Sequence, residues 1–498
     1  MMLVPSLMTS ALFGSLQKII QRPTAISIVS HRIFESSTQL FASSAKRPSF
    51  GQLVSSDLEF LSRMNEPSCP CCSFVGKGLF LPWGDTKDSG AELVKEAGEP
   101  TSATAADDVL SPSEAWQAIT SARRADAAQQ QQQPIALVDT HGHAHLERGI
   151  EYATDGKEVG THVNSNERNV VVSITCAVSP IDWDDTLNYA CRSQHILPAL
   201  GVHPWYLGDI LMQDIVESNE GEIVLDETTN IEQYLNWKWL SELELKLSQH
   251  PNLIVGEIGL CKMARFVREF PKSLGGKATA LQLQKTVFKK QMVLAAKWRR
   301  PVSVHCVNAH GLFKEALEEI LNEARESCSN EEKVEGMRNT LRQAFPPAIA
   351  MHSFTGTAHH VQEILDLERR ILYPDLVEAG GKRQRGKKKQ SKQQNAEENS
   401  EGDTDMLFYF GFSHSVNYIM CTSEKAKRKG VEAVQAIPPD RLLVESDVHA
   451  TEDVILGTAG AAAYAAHARG ESLQDVAEAS TRNGLRFISS LSSRQVDT

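Results

Sequence analysis

Two histidines, His141 and His143, follow a run of four apolar residues at 135–138. Such a run without polar alternation is typical of a strand that is buried on both faces. Side chains at positions i and i+2 of a strand point the same way, so the two imidazoles can share one divalent cation, with Asp139 beside them to orient or bind it. Two surface histidines beyond a strand would give the same pattern, so the interpretation depends on the rest of the chain.

Later apolar runs carry more groups of the metal-binding type, and the full set is His141, His143, Glu257, His305, His352 and Asp447. Four imidazoles and two carboxylates suit two divalent cations about 3.5–4 Å apart. We expect Glu257 to bridge the cations. His141, His143 and Asp447 would complete one site. His305 and His352 would complete the second. A water shared by such cations is acidified and attacks a phosphorus or carbonyl centre, with Asp447 as proton acceptor.

His203 is a further catalytic candidate, because it ends another apolar run beside Pro204. Its imidazole could contact substrate or donate a proton, and a structural hydrogen bond is the alternative.

The runs that must position these side chains are strand-like and number eight: 135–138, 169–178, 195–204, 253–260, 301–305, 348–352, 407–412 and 441–447. Helical patterns lie between them, most clearly at 281–298, 312–325 and 472–487. Eight buried strands that alternate with helices predict an α/β fold, a (β/α)8 TIM barrel, whose active sites lie at the carboxyl ends of the strands. A doubly wound open sheet would show the same alternation, but it would not readily explain ligands from strands one, four, five, six and eight.

The predicted barrel covers residues 134–490 and follows a largely disordered N-terminal extension, 1–133, in which a short helix is allowed at 113–124. Residues 1–34 lack acidic residues, so they suit a transit peptide or an unstructured basic terminus. Insertions are expected in the third connection, at 206–250, and in the sixth, at 377–405. The basic first half of the sixth-connection insertion fits a solvated loop, a nuclear-localisation patch or a flexible phosphate contact.

Composition restricts the classes of binding partner and the cellular compartment that we expect. The 498 residues carry a net charge of −12, so no global basic field attracts nucleic acid, and contact with it must be local and metal-assisted. The nine cysteines are odd in number and mostly scattered, which favours a reducing intracellular compartment, with mitochondrion, nucleus and cytoplasm all open. No apolar run approaches the ~20 residues of a membrane span.

Six segments together resemble the TatD family of metal-dependent deoxyribonucleases, within the amidohydrolase-like metallo-dependent hydrolases: 139–143, 201–204, 256–260, 301–305, 351–356 and 442–447. The resemblance covers residues 134 to 487, keeps the order of the motifs, and extends to Asn483 and Phe487 of the closing helix. It implies a divalent-metal phosphodiesterase, with DNA ends or single strands as substrate and the six residues above on the family's ligand positions.

Departures from the family pattern suggest a divergent eukaryotic branch. Cys261 stands where the family commonly has Asp, and Val307 and Asn308 stand where it has Arg and an acidic residue. An arginine suits a phosphate, because its guanidinium is planar, charged and bidentate. Lys262, or arginines near it, could supply the missing charge.

Two alternatives to a nuclease remain open at this point. One keeps the metals but changes the bond to an ester, an amide or an aminoacyl-RNA linkage, which the acidic net charge and Val307 favour. The other is a catalytically weak barrel that serves as a binding partner, with the long insertions as docking segments.

Overall fold

The structure is a computed structural model that describes residues 109–127, 136–147, 171–208, 210, 237–270, 272, 275–328, 334–374 and 406–491. The transit-peptide region, the charged insertion at 377–405 and most of the third connection lie outside the described residues. The sequence also predicts a helix at 231–248 within that connection, and the start of this helix lies outside the described residues.

Eight parallel strands form one sheet in chain order. They are β1 (Leu137–Gly142), β2 (Val171–Cys176), β3 (Ile196–Leu200), β4 (Ile254–Cys261), β5 (Val302–Val307), β6 (Ile349–Met351), β7 (Phe408–Ser413) and β8 (Leu442–Glu445). The residues of β1, β4 and β7 are all buried, as unalternated apolar runs require.

The sheet closes on itself where the ends of β1 and β8 meet. The Asp447 amide donates to the His141 carbonyl at 3.0 Å, and the His143 amide donates to the Val448 carbonyl at 2.8 Å. The (β/α)8 TIM barrel expected from the sequence is therefore confirmed, with all eight predicted strands in place.

Helices cover the outside of the barrel and join successive strands. The α-helices of the described residues are α1 (Pro112–Ala127), α2 (Trp183–Ala190), α3 (Lys238–Gln249), α4 (Arg265–Glu269), α5 (Gly276–Lys297), α6 (His310–Ser327), α7 (Val334–Gln343), α8 (Ala358–Leu372), α9 (Glu424–Ala436), α10 (Val454–Arg469) and α11 (Leu473–Ser489). None of these is long and apolar enough to cross a membrane.

The last helix packs against the barrel through Phe487 and Asn483. Phe487 of α11 belongs to an apolar cluster with residues of six strands, among them Ile254 and Tyr409. Asn483 of the same helix donates to the carbonyls of Pro439 and Leu442 at 2.8 and 2.9 Å, which ties α11 to the start of β8.

Helix α1 precedes the barrel in sequence but packs against it. Ala115 and Ile119 are fully buried in a cluster with the alanines of α10. Helix α10 is rich in Ala and Gly, so α1 can approach closely, and a Cβ at Gly460 would lie 3.0 Å from Pro112. The helix that the sequence allows at 113–124 is thus present and is part of the packed structure.

Candidate metal centre

Glu257 stands at the centre of a buried cluster of histidines. Its side chain projects from β4 and is 3% exposed. One carboxylate oxygen, Oε2, lies 3.5 Å from His141 Nε2 and 3.2 Å from His143 Nε2. The other oxygen, Oε1, lies 2.9 Å from His305 Nδ1 and 2.7 Å from His352 Nε2. The two oxygens therefore face different sets of imidazoles.

We divide the cluster accordingly. The first half-site comprises Oε2 of Glu257 with His141, His143 and Asp447, and the second comprises Oε1 with His203, His305 and His352. Ligand atoms within 4.8 Å of one another form three groups: His141, His143 and Asp447; His203, Glu257 and His305; and His141, Glu257 and His352. All six expected ligand residues thus converge at the carboxyl ends of the strands, and His203 joins them.

Hydrogen bonds fix both imidazoles of the first half-site. His143 Nδ1 lies 2.7 Å from the Cys176 carbonyl, which can only accept, so we assign the proton of the neutral ring to Nδ1. The lone pair of Nε2 then faces Glu257 and His141 Nε2, the latter at 3.2 Å. His141 in turn directs Nδ1 at the Ser303 hydroxyl, 2.8 Å away.

Asp447 enters the first half-site from a loop with an unusual backbone. Its φ of 51° lies in the left-handed region, which non-glycine residues rarely adopt. Ser353 donates to Oδ2 at 2.7 Å, while Oδ1 lies 3.9 Å from His143 Nε2. Burial raises the pKa of Asp447, but His352, His141 and His143 outweigh burial and lower it, so the carboxylate is ionised at neutral pH.

Asp139 lies next to the site but faces away from the imidazoles of His141 and His143. Its two oxygens accept from the backbone amide and the hydroxyl of Ser446, each at 2.7 Å. Burial raises the pKa of Asp139 to about 8. Asp139 therefore joins β1 to the loop that carries Asp447.

His203 presents a hydrogen-bond donor to the second half-site. Its Nδ1 accepts from the Trp205 backbone amide at 3.3 Å, so we assign the proton of the neutral ring to Nε2, which lies 3.2 Å from Glu257 Oε1. Burial lowers the pKa of His203 to about 4, and the ring is neutral at physiological pH. This arrangement suits the expected proton donor better than a lone-pair ligand.

His305 and His352 attract protons when no cation is present. Burial lowers the pKa of His305, but hydrogen bonds with Cys261 and Glu257 more than offset burial and raise it to about 9. The charge of Glu257 likewise overcomes burial and raises the pKa of His352 well above its usual range. The histidine nitrogens His305 Nε2 and His352 Nδ1 are buried without a hydrogen-bond partner within the described residues.

The donor set fits divalent cations. Burial would raise the pKa of Glu257, yet the imidazoles of His203, His352 and His141 hold it well below its usual range. Nitrogen lone pairs and a carboxylate oxygen that face one another about 3 Å apart repel unless a proton or a metal cation lies between them. A cation at each half-site would remove that repulsion while keeping every ligand in place.

Four supporting residues were missed by the sequence reasoning: Ser303, Ser353, Glu445 and Ser446. Ser353 lies in left-handed backbone, with a φ of 37°, and its amide donates to the buried Glu445 carboxylate. Glu445 and Ser446 immediately precede Asp447, so their position in the strand was a usable signal. No signal in the sequence distinguishes Ser303 of β5, or Ser353 in the loop after β6, from ordinary core polar residues.

The positive charge expected beyond β4 is present there. Arg265, the first residue of α4, forms an ion pair with Glu269 at 2.9 Å, which neutralises part of its charge. Lys262 and Arg268 form no ion pair within the described residues. At the end of β5, Val307 is partly buried against the core and offers no charge.

A family model and several known proteins are similar to the chain. A family model described as TatD related DNase matches residues 138–377. A Cut9-interacting protein of Schizosaccharomyces pombe is 24% identical over 289 residues, which cover 52% of this chain and 73% of that protein. An uncharacterised deoxyribonuclease of Saccharomyces cerevisiae is 28% identical over 213 residues, 37% of this chain and 62% of the relative.

A further relative is a bacterial enzyme. The 3'-5' ssDNA/RNA exonuclease TatD of Citrobacter koseri is 27% identical over 143 residues, 28% of this chain and 42% of the exonuclease.

Two crystal structures are also similar to the chain. A TatD homologue of Escherichia coli aligns with a TM-score of 0.40 and 16% identity, over 71% of this chain and 97% of that structure. An uncharacterised amidohydrolase of Saccharomyces cerevisiae aligns with a TM-score of 0.44 and 15% identity, over 70% of this chain and 99% of that structure.

Proposed function

Because the chain is a divergent member of the TatD family, we propose that it is a metal-dependent deoxyribonuclease that cleaves phosphodiester bonds at DNA ends or in single strands. The observation that carries the proposal is Glu257, whose two oxygens face separate sets of imidazoles. This arrangement suits two divalent cations, Mg²⁺, Mn²⁺ or Zn²⁺, held by the six ligand residues. Bound there, the cations would acidify water and stabilise negative charge on the phosphoryl oxygens.

Asp447 is the proposed proton acceptor. Its side chain is 12% exposed, against 3% for Glu257, so a water can reach it from the mouth of the barrel. Ser353 holds Oδ2 and leaves Oδ1 directed into the first half-site. An ionised carboxylate fixed in this way can take the proton of the attacking water as the water approaches phosphorus.

His203 is the proposed proton donor on the opposite side of Glu257. Its assigned Nε2–H points into the second half-site, where it can donate to Glu257 or to the departing oxygen. Because the ring is neutral at physiological pH, its contribution is a positioned hydrogen bond and no formal positive charge.

Single-stranded DNA is the substrate that the similarities favour. The Citrobacter relative is named for its action on single-stranded DNA and RNA. Lys262 and Arg268, beside the carboxyl end of β4, are available to contact phosphates, although two such charges give only local attraction.

Metal-dependent hydrolysis of a labelled single-stranded oligodeoxynucleotide tests the proposal, with Mg²⁺, Mn²⁺ and Zn²⁺ in turn. We expect cleavage by the wild type and none by Glu257→Gln, because the amide cannot bridge two cations with negative oxygens. An oligoribonucleotide and a blunt duplex define the strand preference. Equal cleavage by wild type and Glu257→Gln would contradict the proposal.

A second candidate keeps the metals and changes the bond to an ester, an amide or an aminoacyl-RNA linkage. The observation that favours it is the uncharged end of β5, where Val307 and Asn308 replace the family's arginine and acidic residue. Assays of acyl-ester substrates and of the oligonucleotide at equal metal concentration distinguish this candidate from the nuclease. Turnover of these substrates without oligonucleotide cleavage would replace the nuclease proposal.

A further inference from the structure

Cys261 is held rigidly at the edge of the second half-site. It is the last residue of β4, pairs with Val307 of β5 and is fully buried. Its amide donates to Gln284 Oε1 at 3.0 Å, and Gln284 Nε2 donates to the carbonyls of Cys261 and Pro204 at 3.3 and 3.0 Å. Gln284 therefore fixes the cysteine relative to the loop that follows β3, which carries Trp205.

Two buried nitrogens near this cysteine lack ordinary partners. Neither His305 Nε2 nor Trp205 Nε1 makes a well-formed hydrogen bond, to sulfur or to any other atom, within the described residues. The side chains of both residues nevertheless interact with the Cys261 thiol. An indole N–H can only donate, so sulfur must be the acceptor in the contact with Trp205.

Which nitrogen of His305 faces Cys261 follows from the groups that lie at the other nitrogen. Glu257 and His352 lie at Nδ1, at 2.9 and 3.1 Å, so Nδ1 is the nitrogen directed at a cation. A neutral imidazole that binds a cation through Nδ1 carries its proton on Nε2, and that N–H requires an acceptor. Sulfur of Cys261 is the group available to fill this need.

We propose that Cys261 is a positioning residue of the second half-site, whose sulfur accepts from Trp205 and His305 and so holds His305 Nδ1 towards the bound cation. Metal-binding histidines usually donate their other N–H to a carboxylate, a carbonyl or water, and the resembled family commonly has an aspartate at this position. This chain uses a thiol instead, which is a larger and weaker acceptor. The inference rests on the proposed two-cation centre.

Calorimetric titration of the metal-free protein with Mn²⁺ and with Zn²⁺ tests the inference through binding alone. Cys261→Ala and Cys261→Val both remove the acceptor, and valine also keeps the volume filled. We expect either variant to weaken one of the two cation sites by about 10–100-fold, as is typical when the partner of a ligand is removed, and to leave the other site unchanged. Cys261→Ser retains an acceptor and should recover most of the affinity.

Cys306→Ala is the matched control, because this neighbouring buried thiol hydrogen-bonds with the backbone of Ala309 and not with a ligand. Its two cation affinities should equal those of the wild type. Two wild-type sites with unchanged affinities in both Cys261→Ala and Cys261→Val would overturn the inference. A wild type that binds fewer than two cations would instead overturn the proposed function.

Substitution with Co²⁺ separates positioning from direct ligation. A positioning role predicts no intense sulfur-to-cobalt charge-transfer band in the wild type. The presence of such a band, lost in Cys261→Ser, would show that the sulfur is itself a ligand and would overturn the positioning role.

Discussion

The two half-sites share Glu257 but are held in place by different forces. In the first half-site, hydrogen bonds with neutral side chains and the backbone orient the ligands. The Cys176 carbonyl sets the tautomer of His143, and the Ser353 hydroxyl orients Asp447. These contacts exist before any cation binds. The first half-site is therefore preorganised by hydrogen bonding.

In the second half-site the arrangement depends on charge. The pKa of His305 is raised to about 9, while burial lowers that of His203, next to the same Glu257 oxygen, to about 4. A positively charged and a neutral ring thus surround Oε1, and Nδ1 of the ligand His352 lies 3.6 Å from an oxygen of the buried Glu445 carboxylate. Burial lowers the pKa of His143, but Glu257 raises it overall, so both oxygens attract protons. The half-sites differ because hydrogen bonds to neutral groups fix the ligands of the first, whereas those of the second are held mainly by charge.

Asp447→Asn tests the catalytic role of the first half-site and carries the largest expected effect. Loss of a general base typically lowers turnover by about 10²–10⁴-fold. We expect kcat on a single-stranded oligonucleotide to fall within that range, while calorimetry finds the second half-site still filled. Ser353→Ala, which removes the hydroxyl contacts with Asp447 and Ser413 but leaves the carboxylate itself, should cost much less. Wild-type turnover in Asp447→Asn would break the assignment of the base to this half-site.

Proton release should mark the second half-site. His305 is protonated in the metal-free protein below about pH 9, so a cation must displace its proton to bind there. Affinity should then fall by about tenfold for each pH unit below 9 per proton displaced. Calorimetry in buffers of different ionisation enthalpy counts the protons, and His305→Asn should release one fewer. A cation uptake at pH 7 that releases no protons would contradict the contrast between the half-sites.

Ser446→Ala tests whether hydrogen bonding next to the first half-site stabilises the fold. The variant removes one of the three donors to the buried Asp139 and leaves Oδ2 without its hydroxyl partner. An unsatisfied buried polar group costs about 1–3 kcal/mol, so the free energy of unfolding in urea should fall by that amount. Ser248→Ala, at the exposed end of α3, is the control and should change it by less than about 0.5 kcal/mol. Equal stability of both variants would count against the tie between β1 and β8.

Much of the fold could be predicted from the sequence, because unalternated apolar runs and the helical patterns between them leave few topologies. The residue types and strand positions of His141, Glu257 and His305 similarly indicated one shared edge. The assignment of ligands to two cations stays a prediction, since no cation is described.

The supporting contacts could not be predicted in the same way. Ser303 and Ser353 act through geometry that depends on the register of neighbouring strands and on a left-handed backbone, neither of which a local pattern encodes. Likewise, Cys261 could be noted only as a departure from a family pattern. Its two nitrogen neighbours become visible once the loop after β3 and strand β5 are placed beside it.

The junction of β1 and β8 links chemistry to the order in which the chain folds. Asp139 and Ser446 are separated by 307 positions in sequence, so the first half-site can assemble only when the beginning and the end of the barrel meet. The ligands of the second half-site come from strands three to six and the loops that follow them, and β8 adds the contact of Glu445 with His352 Nδ1 at 3.6 Å. Until β8 docks, the barrel lacks its proposed catalytic base, so activity should appear only with the last step of folding. Refolding followed by intrinsic fluorescence and by nuclease activity in parallel would show the delay.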